Sequence, residues 1–239
     1  MAKINYSQLS IEITRACNMN CPHCMRGDGQ NKDTNLTALS EFLDNAESVY
    51  TVTLTGGEPS IRVPVMNAVL EMFKEKQVPI YGFYLVTNGL EISDEFMKSV
   101  LSWYLYAKDC GAEDDNIGIA LSRDNYHDEI PPENETLLRA FSFFREDKFV
   151  DWDRAKLKYL GRTADYFDTY NTQPVDYNKN LYVDEFDDTL NIDNNIALTV
   201  DGDILSDCDY AYDDIEELKI GNAFDMKSYI KYVHSQVEQ

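Results

Sequence analysis

Cys17-Asn-Met-Asn-Cys21-Pro-His-Cys24 sets three thiols within one short stretch of the chain. Thiolates are the ordinary ligands of iron–sulfur clusters and of zinc. A compact loop with three of them can hold three irons of a [4Fe–4S] cluster and leave the fourth without a protein ligand, and an open iron is one that binds a substrate or cofactor. The same loop would also suit a Cys3His zinc knot using His23, or a buried trio of cysteines. Beyond it the chain has only Cys110 and Cys208. An odd count with three cysteines in one loop favours metal ligation over a disulfide framework, and a reducing, cytoplasmic setting is the expectation.

Two further segments have the composition of ligand loops. In Gly56-Gly57-Glu58-Pro59 the paired glycines let backbone approach a ligand, Glu58 can accept from an ammonium and Pro59 stiffens the exit. Thr87-Asn88-Gly89 is a weaker signal of the same kind, as compatible with a plain turn. His127 has the chemistry of an acid or base, although a loop histidine without a task is the simpler reading. Trp103 and Trp152, like most of the 16 tyrosines, read as packing residues.

These segments need elements that bring them together. Short apolar or β-branched runs alternate with amphipathic stretches, the pattern of βαβ units and a parallel sheet. Strands are expected near 9–14, 51–55, 80–87, 116–122 and 156–160, and helices near 35–47, 63–76, 93–108 and 133–145. Val65, Val69, Met72 and Phe73, and likewise Phe96, Val100, Trp103 and Tyr104, recur at helical spacing and should pack on the sheet. Right-handed crossovers curl such units into an open, partial (β/α)6 barrel whose strand-to-helix loops share one rim. The α/β core is expected over residues 1–170. A small C-terminal β extension with short runs at 181–186 and 196–200, a hairpin turn at Asp201-Gly202 and a terminal helix near 225–237 would make up 171–239.

With 21 Lys and Arg against 43 Asp and Glu, the formal charge is −22. A field of that sign repels a phosphate backbone, so nucleic acid is an improbable partner, whereas a basic or neutral one is suited. No window approaches the ~18 apolar residues of a membrane span, and the opening residues lack a signal-like apolar run.

Taken in order, Thr14-Arg15-Ala16-Cys17-Asn18, Cys21, His23-Cys24, Gly56-Gly57-Glu58-Pro59 and Thr87-Asn88-Gly89 resemble the radical SAM superfamily, over roughly residues 9–162. Its signature is C-x3-C-x-Φ-C with an aromatic Φ, a place that His23 fills. The resemblance implies a single [4Fe–4S] cluster on Cys17, Cys21 and Cys24, with the amino and carboxylate groups of S-adenosylmethionine on the unique iron. An electron, from a donor such as flavodoxin or ferredoxin, would split the sulfonium into methionine and a 5′-deoxyadenosyl radical that takes a substrate hydrogen. By family position, Gly56, Gly57, Glu58 and Pro59 form the methionine amino-group site. Asn88, Ser122 and Asp124 are similar to residues that contact ribose or carboxylate, and Arg162 would pair with the cofactor carboxylate.

The run from Ile196 to Cys208, with Lys219-Ile-Gly221-Asn222, looks like the C-terminal segment of SPASM and twitch proteins, many of which modify peptides or proteins. Those domains carry several cysteines, and two are too few for a second cluster here. The hairpin is therefore expected as a metal-free wall over the barrel mouth. Three functions follow: a peptide- or protein-modifying enzyme, an enzyme of small metabolites or nucleotide precursors, and a cluster-bearing sensor without turnover. No acid, base or relay residue on the substrate side is legible.

Overall fold

The computed structural model describes residues 3–123, 126–145, 157–166, 172–173 and 179–237. In chain order the elements are β1 (Lys3–Thr14), α1 (Leu36–Leu43), β2 (Ala46–Gly56), α2 (Val63–Lys76), β3 (Phe83–Thr87), α3 (Asp94–Asp109), β4 (Ile117–Leu121), α4 (Pro132–Arg139) and β5 (Phe144–Arg145). There follow β6 (Leu157–Lys158), α5 (Arg162–Tyr166), β7 (Thr172–Gln173), β8 (Val183–Phe186), β9 (Thr189–Leu198), β10 (Asp203–Leu205), α6 (Ile215–Leu218), β11 (Lys219–Asn222) and α7 (Met226–His234).

β1 to β5 lie side by side and parallel, each joined to the next by a helix or a crossover, as the alternation of the sequence requires. Period-two alternation decides the faces of β1. Leu9, Ile11 and Ile13 enter the main core, while Ser10, Glu12 and Thr14 point to the opposite face and are also fully buried. Asn35 and Ser93 cap α1 and α3 by accepting backbone N–H groups with their side chains. Trp103 of α3 stacks on Phe83 at 5.3 Å and meets Phe73 edge-on, which is the packing role its spacing predicts. Trp152 lies outside the described residues.

Three expectations change in the structure. The helix expected to Arg145 stops at Arg139, and Phe144–Arg145 instead form a strand beside β4. Phe141, Phe143 and Phe144 follow one another closely, Phe143 stacks on Tyr104 at 4.6 Å, and burying these rings on the sheet outweighs helical propensity. The strand expected near 156–160 does not extend the main sheet but pairs with β7 in a separate two-stranded sheet. Finally, β9 runs parallel to β1 along most of its length, giving the strand order β11-β10-β9-β1-β2-β3-β4-β5. The C-terminal portion thus continues the same sheet on the far side of β1. The Asp201-Gly202 turn forms between β9 and β10, with Gly202 at φ +85°.

Candidate functional site

Parallel strands send their C-terminal ends to one edge, so the segments that follow them meet there. The cysteine loop leaves β1, Gly56–Pro59 leaves β2, Asn88–Gly89 leaves β3 and Ser122 leaves β4. Gly161–Arg162, which follow β6 of the smaller sheet, reach the same loop through the bond from Arg162 N–H to the Cys24 carbonyl. All five cysteines are free thiols. Cys17 is exposed and Cys21 and Cys24 are half-buried. Burial pushes the Cys21 thiol up to about 11, with the Cys17 and Cys24 thiols adding to it, and Cys17, exposed as a residue, is raised by the partial desolvation of its sulfur. Thiols raised in this way are brought to the thiolate state by bound cations, which reverse the sign of the local field.

The paired glycines are a close backbone contact. Gly57 N–H donates to the Thr14 carbonyl at 2.6 Å and Glu58 N–H to the Ala16 carbonyl at 2.8 Å, so the start of the cysteine loop lies directly on Gly56–Glu58. Gly56 sits at φ +129°, and a Cβ there would lie 2.2 Å from the Thr14 oxygen. Pro59 is buried and opens a short helical turn, 59–62, capped by Glu58.

Glu58 is 2% exposed and is bonded within the protein. Its carboxylate accepts from Ser60 N–H at 2.9 Å, Thr87 Oγ1 at 2.8 Å and Asn88 N–H at 2.7 Å, tying the β2 loop to the β3 loop. A carboxylate has about four acceptor positions, so one is left for a ligand ammonium. Burial lifts this carboxyl above its ordinary 4.5, against the pull of its hydrogen bonds. Glu58→Gln replaces one acceptor oxygen by an amide NH2 facing donors, and is expected to lower folding stability by about 1–3 kcal/mol. Because the folded-state pKa is raised, ionisation of Glu58 removes stability as pH rises above 4.5, so wild type should lose part of its advantage over the variant between pH 4.5 and neutrality. Denaturant midpoints of both proteins across that range check the sign; an advantage that grows with pH would mean that the hydrogen bonds outweigh burial.

Asn88 reaches the cysteine loop, donating from Nδ2 to Asn18 Oδ1 at 2.9 Å and lying 3.8 Å from Cys17 Sγ. Ser122 Oγ is 3.2 Å from His127 Nε2. His127 in turn packs edge-on against His23 with centroids 4.7 Å apart, which brings it beside the cysteine loop. Asp124 lies outside the described residues. Arg162 is 8% exposed and turned onto the loop: its N–H donates to the Cys24 carbonyl at 3.0 Å and its Nη1 donates to Asn20 Oδ1. Thr163 Oγ1 donates to the His23 carbonyl at 2.8 Å. Gly161, at φ +51°, fits under the loop where a Cβ would lie 2.5 Å from the Met25 oxygen. Cys110 caps the end of α3, away from these strand ends, and Cys208 accepts from Asn195 Nδ2 at 3.1 Å.

Sequence reading misses a second set of residues around the loop. Glu12 is fully buried on β1 and accepts from Arg15 Nε at 3.2 Å and from Val200 N–H at 2.9 Å, while Arg26 is buried against Tyr210. Their spacing carries no recognisable motif, because Val200 and Tyr210 come from the other end of the chain.

A sequence model described as the Radical SAM superfamily matches residues 11–140, more than half of the chain. The chain belongs to the radical SAM superfamily. That family implies an iron–sulfur cluster and S-adenosylmethionine, and a loop of three free thiols beside a glycine cradle is a donor set that fits them. Molybdenum cofactor biosynthesis protein 1 of Homo sapiens is 32% identical over 95 residues, covering 37% of this chain and 15% of that protein. The mitochondrial GTP 3′,8-cyclase of Arabidopsis thaliana is 24% identical over 157 residues, covering 61% and 35%. Mycofactocin maturase MftC of Mycolicibacterium smegmatis is 30% identical over 91 residues, covering 36% and 22%. The chain therefore matches well under half the length of these relatives. A solved structure described as native anSMEcpe with bound AdoMet and Kp18Cys peptide shares the fold, with a TM-score of 0.55, 14% identity and coverage of 98% of this chain and 83% of that one. Among the described residues, no helix is long and apolar enough to cross a membrane.

Proposed function

We propose that this radical SAM protein cleaves S-adenosylmethionine reductively and directs the resulting 5′-deoxyadenosyl radical at a hydrogen atom of a peptide or protein. The observation that carries the proposal is the free-thiol loop lying on the Gly56–Glu58 backbone at the common strand-end rim. In this reading Cys17, Cys21 and Cys24 hold one [4Fe–4S] cluster, which together with the cofactor supplies the one-electron cleavage. Among the described residues, the group of three whose ligand atoms all lie within 4.8 Å of one another is Asp207, Cys208 and Asp209. That group offers one thiol and two carboxylates, whereas Cys17, Cys21 and Cys24 are three thiol donors in one loop, the donor type of a [4Fe–4S] cluster.

The residues of the chain have distinct tasks in this scheme. Glu58, through its remaining acceptor position, takes the methionine ammonium, the Gly56–Gly57 backbone lies against the methionine portion and Pro59 fixes that turn. Asn88, anchored on the cysteine loop, and Ser122, anchored on His127, orient ribose or carboxylate. Arg162, whose backbone N–H holds the Cys24 carbonyl and whose guanidinium donates to Asn20, would pair with the cofactor carboxylate. A flavodoxin- or ferredoxin-like donor delivers the electron, and the free cysteines suit a reducing cytoplasm.

A peptide substrate is favoured by the SPASM-like tail and by a charge of −22, which attracts basic segments. A nucleotide-precursor substrate is the second reading, favoured by the relatives named GTP 3′,8-cyclase. Anaerobically reconstituted protein with a strong reductant should release 5′-deoxyadenosine and methionine from S-adenosylmethionine. Binding without cleavage would reject the enzymatic reading in favour of a sensor. Acceleration by a mixture of basic peptides supports the first substrate class, and acceleration by GTP alone transfers the proposal to the second.

A further inference from the structure

The cysteine loop is short of internal support. Within it, Met19 N–H lies 3.5 Å from Cys17 Sγ, Cys24 N–H reaches the Cys21 carbonyl at 3.2 Å and Gly27 N–H reaches the Cys24 carbonyl at 3.3 Å, and the segment forms no helix or strand. Its order must come from what it touches. On one side it rests on Gly57–Glu58 and on Gly161–Thr163. On the other it meets a segment far along the chain.

Arg26, two residues after Cys24, donates from Nη1 to the Tyr210 carbonyl at 2.9 Å, across 184 residues of sequence. Its guanidinium lies over the Tyr210 ring, 3.8 Å from the centroid. The contact is reciprocal, because Tyr212 N–H donates to the Arg26 carbonyl at 3.0 Å. Arg15, two residues before Cys17, repeats the arrangement at the other end of the loop: its guanidinium lies 4.7 Å from the centroid of the Tyr212 ring. Glu12 and Asp201 pair with Arg15 at 3.2 and 3.4 Å and fix its orientation. Arg15, Arg26, Tyr210 and Tyr212 are all less than a tenth exposed.

The tyrosines do not float. Tyr210 and Tyr212 are seated in a second apolar core with Ala197, Leu205, Ile215 and Leu218, built on β9, β10 and α6. Arginine is the residue suited to such a contact, since its planar guanidinium stacks on a ring while its edge donates hydrogen bonds, which an ammonium does less well.

We infer that Arg26 is a positioning residue: with Arg15 it forms a pair of arginine–tyrosine clasps through which residues 210–212 hold both ends of the cysteine loop in place before metal arrives. The C-terminal portion is then a determinant of cluster retention as well as a wall beside the barrel. The consequence for the cluster rests on the reading of Cys17, Cys21 and Cys24 as its ligands, while the clasp itself can be measured without metal.

Amide exchange of the metal-free chain provides that measurement. Arg26→Gln should accelerate exchange over residues 17–27 by about ten- to a hundredfold, the range expected for loss of a buried charge-assisted hydrogen bond, with β1, β2 and β3 still protected. Tyr210→Leu keeps the carbonyl and removes the ring, so it should give a smaller acceleration. The double variant should be little worse than Arg26→Gln alone, because both changes remove one contact. Arg26→Lys retains a donor without the stacked plane and should restore part of the protection. In reconstituted protein the same order should appear in the rate of iron loss to a chelator.

Unchanged exchange over 17–27 in Arg26→Gln overturns the inference. So does an equal rise in exchange across the sheet, which would make Arg26 a residue of the fold at large. Full iron retention in Cys17→Ala would refute the ligand assignment alone and leave the exchange result standing.

Discussion

Replacing Cys17, Cys21 or Cys24 with Ala, one at a time, is expected to bring iron in the reconstituted protein down to background and to remove 5′-deoxyadenosine formation. The loss should exceed the ~10–100-fold that follows from removing an outer partner of a metal ligand, since a direct bond to the metal is lost. None of the three side chains is fully buried, so the metal-free variants should unfold within about 0.5 kcal/mol of wild type. Cys110→Ala and Cys208→Ala serve as controls and should load iron normally. Iron per chain, the visible absorption of the cluster and product analysis read the outcome together. A Cys21→Ala protein with full iron and full turnover would end the ligand assignment.

Gly57→Ala should produce a large loss of stability for so conservative a substitution at the rim. An added Cβ would lie 2.1 Å from the Ala16 oxygen and 2.6 Å from the Ala16 carbonyl carbon, both of them backbone atoms that cannot rotate aside. Relief requires the chain at Thr14–Ala16 to separate from Gly57–Glu58, which breaks the hydrogen bonds at 2.6 and 2.8 Å between them. Overpacking together with two lost hydrogen bonds gives about 2–4 kcal/mol. Because the displaced backbone leads directly into Cys17, iron loading should fall as well. Gly111→Ala separates the two effects: at φ +97° with nothing within 4 Å of the added carbon, it should cost only the ~1–2 kcal/mol of a left-handed alanine and leave iron loading intact. Denaturant midpoints and iron content of both variants test the contrast, and a Gly57→Ala protein as stable as wild type would show that the loop does not need this close approach.

The helices α2 and α3 and the strands β2 to β4 were legible because each is specified within its own stretch of chain, by apolar residues at the period of one conformation. The cysteine loop and Gly56–Pro59 were legible for a related reason, since thiols at fixed intervals and paired glycines perform their chemistry largely through residue type. Parallel strands then bring those loops to one edge, so even their meeting could be expected from the alternation of elements. Where competing demands met within one stretch, local reading gave way: the three phenylalanines after Arg139 belong to the sheet although their neighbourhood reads as helix.

What the sequence by itself determined is therefore the chemistry on offer and the local conformations that carry it: three thiols in a loop, a glycine cradle and a parallel α/β frame. Tertiary structure alone decided that β9 runs beside β1, that Glu58 is shared among Ser60, Thr87 and Asn88, and that Arg15 and Arg26 rest on Tyr212 and Tyr210. Periodicity records which face of an element is apolar and which conformation it takes. It carries no address for the partner of a buried charge, which is chosen only when chain closure brings a carbonyl and a ring from nearly two hundred residues away against the guanidinium.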